Sequence, residues 1–292
     1  MSNNKPAVYR CSPCVSTLIV VISALVLTCS TPAPSSAQDA HTIMQNMMTA
    51  YERLTSYRGQ SKGTMRQAVK GGKVVTEDGF TTTLTYQKPN MLKVEFVMPS
   101  GGRTVYCDGQ TITYYNNQTQ TFASALKKPR DIHEVAACLL ELQIAGRYDA
   151  LYFLSGNRLP QNVTGLKRLP DSERNDRPVY VITAHETTQT HDIKWTWMID
   201  KQTMMLAHVE GRTWNEAGTV IVLVGRNSGR NKVPLEGILT QSILTPSLNK
   251  VIPPTEFQFK VPQNARSVKY KAVVEQQRRD FSGSSAAPAA DQ

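Results

Sequence analysis

Val105–Ala123, VYCDGQTITYYNNQTQTFA, reads as short strands folded back on one another. Asp108-Gly109 is a tight-turn dipeptide with an extended run on each side. Glycine enters the left-handed backbone region at no steric cost, and aspartate bonds its own backbone there. Thr111–Tyr115 is β-branched and aromatic without interruption, Asn116-Asn117 marks a second turn, and Thr119–Phe122 makes a third strand. A meander of this size cannot bury one face alone, so it needs further strands beside it and an apolar cover.

The chain before this stretch supplies both. Gly59–Val69 is extended and polar, Gly71-Gly72 turns it, and Val74–Tyr86 returns with Phe80, Leu84 and Tyr86 alternating against threonines. After Pro89-Asn90, Leu92, Val94, Phe96 and Met98 alternate with Lys93 and Glu95, so each strand has one apolar and one wet face. Upstream, Ile43, Met47, Ala50, Tyr51 and Leu54 recur at helical spacing over Gln38–Thr55, and Met44 and Met48 widen that stripe. Met44, Met47 and Met48 form a soft, adaptable surface that suits core packing as well as a ligand.

Downstream, Asp131 caps a second helix over Pro129–Ala145, with Glu134 three residues on as in a capping box. Tyr148–Leu154 is a short helix or a sheet edge, and Gly165–Asp176 reads as a loop. Strands resume at Val179–Ala184, Ile193–Ile199, Met204–Thr213 and Thr219–Val224. Within the second of these, Trp195 and Trp197 share one face and present a large apolar surface. Gly237–Ile252 is a loop or a further strand, Phe257–Val261 reads as the last strand, and Glu275–Gln292 as a disordered tail.

The first 37 residues have the layout of a secretory signal peptide: Lys5 and Arg10, an apolar stretch over Val15–Thr28, then Ser35-Ser36-Ala37 at the exit. The alternatives are an uncleaved anchor and lipid attachment at Cys29. The apolar run falls short of the ~20 residues that span a bilayer. Removing Lys5 and Arg10 from the 33 basic residues leaves 31 against 23 acidic ones, a net charge of +8. That balance suits an anionic membrane surface or an acidic partner. No stripe of Arg and Lys interleaved with aromatics points to nucleic acid. Two cysteines remain after cleavage, and in an oxidising compartment Cys107 and Cys138 are candidates for a disulfide, with two free thiols as the alternative.

No nucleophile elbow, phosphate loop or dinucleotide fingerprint is present. His185-Glu186 and His191-Asp192 lack the helical zinc spacing and fall in a hairpin, so neither a metal nor another cofactor is expected, and no catalytic residue is assigned.

An amphipathic helix, a long antiparallel meander, a helix opened by Asp131, the Trp195/Trp197 strand and the closing PPTEFQFKVP over 253–262 follow in that order. This order resembles the periplasmic lipoprotein-carrier superfamily with the LolA/LolB-like fold, and within it a branch of predicted periplasmic proteins of unknown function. The likeness covers about residues 40–270. It implies an α+β fold: a strongly curved, unclosed antiparallel sheet of about ten or eleven strands wrapping two or three helices over residues 38–274. It further implies a periplasmic, monomeric, non-enzymatic protein that holds a lipid, an acyl chain or a lipoprotein on the concave face. The candidate lining is Met44, Met47, Met48, Phe80, Leu84, Tyr86, Leu92, Val94, Phe96, Trp195 and Trp197. The alternative is an envelope interaction or stress-sensing module that binds a protein through the same fold.

Overall fold

Helix α1 (Ala40–Glu52) opens the fold in the computed structural model, which describes residues 38–69, 74–142, 149–187, 192–215, 219–224, 227–232 and 235–282. The signal peptide, Cys29, the Gly71-Gly72 turn and His191 lie outside the described residues. Gln38–Gln292 forms one unit by itself. Asp39 caps α1 by accepting from Thr42 N at 2.7 Å. Its methionine stripe is buried, with Met44 and Met47 at 1% and 0% exposure.

Six strands then form a meander: β1 (Ser56–Val69), β2 (Val74–Gln87), β3 (Met91–Met98), β4 (Gly101–Asp108), β5 (Thr111–Asn116) and β6 (Thr121–Leu126). The Asp108-Gly109 turn stands where the sequence puts it. Gly109 has φ +90°, and Asp108 Oδ1 accepts from Gln110 N and Thr111 N at 2.9 and 2.8 Å. Helices α2 (Ile132–Glu141) and α3 (Ala150–Leu154) follow, capped by Asp131 and Asp149. Glu134 returns its bond to Arg130 N rather than to the cap residue.

The second half adds β7 (Val163–Arg174), β8 (Arg177–Thr187), β9 (Asp192–Asp200), β10 (Leu206–Asn215), β11 (Thr219–Val224), β12 (Asn227–Lys232), β13 (Leu235–Ile243), β14 (Ser247–Leu248), β15 (Arg266–Ser267) and helix α4 (Tyr270–Ser282). Thirteen strands join one sheet in the order β15-β6-β5-β4-β3-β2-β1-β13-β10-β9-β8-β7, with β14 also on β1, and β11–β12 form a separate hairpin. All pairings are antiparallel except β15 on β6.

The sheet is bent, and its core shows why. Twelve strands laid flat would span roughly 50 Å at the ~4.8 Å spacing of a sheet. Yet a single apolar cluster joins Ala123 on β6 with Val163 on β7, and takes in residues of all four helices. Helix α1, its longest insert together with α4, is only ~20 Å long at 1.5 Å per residue. One such core reaches both ends only if the strands curl around it. β15 and β7 end the sheet without pairing to each other, so it does not close.

Several expectations are corrected. Among the described residues the sheet has thirteen strands rather than ten or eleven, and four α-helices are present rather than two or three. Gly165–Asp176 is not a loop but most of β7. Its signal is weak because an edge strand leaves most residues exposed, and two register shifts, one spanning Pro170, break the alternation. Of the two readings of Gly237–Ile252 the strand is the one that holds, since the stretch carries most of β13 and all of β14. Phe257–Val261 is not a strand: Pro254–Phe257 is a 3-10 turn, and Phe259 packs among Tyr106, Tyr115 and Phe122 with ring centroids 5.2–5.5 Å away. Aromatic burial on the outer face, not edge pairing, fixes this segment. The tail is helical through Ser282, because Tyr270, Val273, Val274 and Gln277 anchor α4 against the sheet and α2. Residues 283–292 lie outside the described residues.

Candidate functional site

The concave face of β1 carries almost no side chains at its middle. Its inward positions run Tyr57, Gly59, Ser61, Gly63, Met65. Gly59 leaves space that the Tyr57 ring occupies, since a Cβ there would lie 2.5 Å from the Tyr57 hydroxyl. Gly63 does the same for Phe80, whose Cζ would be 2.3 Å from a Cβ. With the floor so low, the neighbouring strands and α3 enclose a cavity of about 210 Å³ instead of meeting.

Strand register fixes the layout of this cavity. Gly59 pairs with Leu84, which pairs with Val94, and this row forms the deep end together with Tyr57 and Ile243. Asp149 Oδ1 accepts from Tyr152 N at 2.9 Å and so starts α3, which sets Ala150 and Leu151 as the roof. The next row is Ser61, Thr82, Phe96 and Arg103. Gln241 Nε2 donates to Ser61 Oγ at 2.6 Å, and both residues are buried. Beyond them stand Phe80, Met65 and Leu239, with Met65 exposed at the mouth. Phe80 and Phe96 pack with centroids 5.4 Å apart. The cavity is thus mostly apolar at the mouth and at the deep end, where Asp149 is the polar exception, with a band of polar groups between.

Burial keeps the tyrosines at the deep end neutral. Burial, then the neighbouring Tyr51 and Asp149, push the Tyr57 phenol well above its ordinary range. Burial likewise raises Tyr51, whose hydroxyl accepts from Leu206 N at 3.3 Å.

Four of the expected lining residues, Phe80, Leu84, Val94 and Phe96, face this cavity. Tyr86, Leu92 and Met47 lie in the packed core. Met44 and Met48 are buried as well and border a separate surface groove between α1 and the segment 158–166. Trp195 and Trp197 stack at 6.2 Å over the β9–β10 ladder, and Trp195 Nε1 donates to the buried Glu186 at 2.9 Å. Both rings are buried in the apolar core that also holds the helices, and neither borders the cavity. The sequence reading missed Gly59, Ser61, Gly63, Arg103, Asp149, Leu239 and Gln241. The signal available was the small residue at three successive inward positions, GQSKG over 59–63.

Of the two readings of Cys107 and Cys138, the structure has the free thiols. The buried Cys107 thiol donates instead to the Asn90 carbonyl oxygen at 3.1 Å. Burial pushes its pKa up to about 11, which disfavours the thiolate that exchange chemistry needs. Among the described residues no group of three metal-ligating side chains comes together, and no helix is long and apolar enough to cross a membrane.

The chain is similar to several solved structures at low identity. A LolA superfamily protein from Nitrosomonas europaea is 12% identical, with 76% of this chain and 99% of that one covered and a TM-score of 0.31. The lipoprotein LppX from Mycobacterium tuberculosis is 12% identical, with coverages of 73% and 96% and a TM-score of 0.38. A DUF1329 family protein from Desulfovibrio piger is 8% identical, with coverages of 75% and 95% and a TM-score of 0.30. No curated protein sequence matches. A family model described as "Predicted periplasmic protein (DUF2092)" matches residues 40–206, more than half of the chain, and the chain belongs to that periplasmic family.

Proposed function

We propose that this protein binds a hydrophobic ligand, an acyl chain or a lipid bearing one, in the cavity between β1–β4, β13 and α3, and performs no chemistry on it. The observation that carries the reading is the cavity itself: about 210 Å³, lined mostly by apolar side chains. An engineered apolar cavity of ~150 Å³ stays dry and takes up benzene. Drug-sized sites run from about 300 Å³ upward. The volume therefore suits a segment of one acyl chain rather than a whole lipid. At ~30 Å³ per water-sized group it holds roughly seven such groups. Burying roughly six methylenes contributes about 5 kcal/mol, which alone corresponds to sub-millimolar affinity.

The polar side chains near the cavity support binding rather than catalysis. Gln241 and Ser61 bond to each other, and Asp149 caps a helix. The test is purification under native conditions followed by lipid mass spectrometry, with displacement of a fluorescent fatty-acyl probe as a second readout. A co-purifying lipid displaced by the probe is the expected result. Protein that carries no lipid and takes up no probe would remove the reading.

A further inference from the structure

We infer that Arg103 selects an amphiphile with an anionic head, a carboxylate or a phosphate, over a neutral one. This rests on the hydrophobic-ligand reading of the same cavity. Arg103 lies on the inward face of β4, half-buried, and lines the cavity in the same cross-strand row as Ser61, Thr82 and Phe96. Its Nη1 donates to Gln277 Oε1 of α4 at 2.7 Å, which holds the guanidinium in place without neutralising it. Among the described residues no carboxylate pairs with it. A guanidinium has five N–H donors in a fixed fork that matches two oxygens of a carboxylate or phosphate, and one bond to Gln277 leaves the others for a ligand.

The opposite end of the cavity is walled by Tyr57, Leu84, Val94 and Ile243, with Asp149 engaged in capping α3. Asp149 lines it there, close enough to Tyr57 to raise that phenol's pKa. Tyr57 and Ser61 are four residues apart on β1, about 13 Å at the rise of a strand. A negative head is thus drawn to the Arg103 row, and the largely apolar deep end is left to the chain. The polarity orients the ligand as well as selecting it. A charge-assisted bond in a partly dehydrated site adds the anchoring that a short acyl segment lacks.

The experiment titrates the purified full chain with dodecanoate, dodecyl phosphate and dodecanol by calorimetry below their micelle concentrations, for wild type, Arg103→Gln and Gln277→Ala. Wild type is expected to bind an anionic ligand at least tenfold more tightly than dodecanol, the tighter of the two anions naming the head group. Arg103→Gln abolishes that preference while dodecanol affinity stays within twofold. Gln277→Ala, which keeps the guanidinium, retains the preference and shows that loss of the α4 contact is not the cause. Equal binding of dodecanol and both anions to wild type, or an equal loss of all three in Arg103→Gln, overturns the role of Arg103 but leaves the hydrophobic-ligand reading standing. Failure of all three to bind wild type removes both.

Discussion

Gly63 and Phe80 face each other across the β1–β2 pair, and the phenyl ring lies where a side chain on Gly63 would stand. A Cβ at Gly63 would come within 2.3 Å of Phe80 Cζ and equally close to the Thr240 carbonyl oxygen on β13. The ring can rotate away, but the backbone of β13 cannot. Gly63→Ala is therefore expected to cost about 1–3 kcal/mol through overpacking. Gly79→Ala is its control. A Cβ there meets only one atom, at 4.0 Å, and the change should be neutral or slightly stabilising. Urea denaturation of both variants checks the contrast.

Filling the hollow should weaken binding without unfolding the protein. Val94→Phe places a ring in the deep row beside Leu84. Displacing two methylenes of a bound chain at ~0.8 kcal/mol each lowers affinity roughly tenfold. The fatty-acyl probe titration reads this directly, and a circular dichroism melt confirms that the fold persists.

The tryptophan pair should behave as core and not as site. Trp197 is fully buried and stacked on Trp195. Trp197→Ala is expected to cost about 3–5 kcal/mol. Probe affinity of the molecules that remain folded should stay unchanged, because neither ring borders the cavity.

Acid should weaken the protein through His208. Burial is the main cause that holds its pKa down at about 4, reinforced by Arg174 and opposed by Glu210. Its Nδ1 lies 3.1 Å from Ser242 Oγ, which also accepts from Arg174 Nη2 at 2.6 Å. An unfolded histidine titrates near 6.5. Between those values the unfolded chain binds more protons than the native one, so stability falls as pH drops from about 6.5 to about 4. Below that window both states are protonated and this group contributes no further loss. His208→Gln should flatten the stability curve over that range, measured as the urea midpoint against pH.

The outer-face contact of Phe259 should hold the C-terminal segment. Its ring meets Tyr106, Tyr115 and Phe122, and the chain continues from it into β15 and α4. Phe259→Ala is expected to cost about 1.5–3 kcal/mol in lost burial. Limited proteolysis between 253 and 270 should accelerate in the variant, with the β1–β6 meander still protected.

The meander was legible because its information is local. The Asp108-Gly109 turn, the alternation in Phe80–Tyr86 and Leu92–Met98, and the cap Asp131 each act within a few residues, and each stands where the sequence puts it. Strand β7 was illegible because an exposed, bulged edge has no alternation to show. The C-terminal helix was hidden because its anchors, Tyr270, Val273 and Val274, precede a polar run that would be unstructured without the surfaces they pack against.

The sequence by itself determined which side of each strand is apolar, since side chains alternate with a period of two whatever lies above them. Only the tertiary structure decided what that side meets. Trp195 and Trp197 are buried in the core that the helices share; beside Gly59 and Ser61, where the Tyr57 and Phe80 rings take the glycine space, a hollow remains. Register between β1, β2, β3 and β4 then brought Ser61, Thr82, Phe96 and Arg103 to one level, and the pairing of β13 with β1 set Gln241 opposite Gly63, diagonally within reach of Ser61. Pairing partners so distant in sequence are selected by the packing of the whole sheet, and no local pattern encodes them.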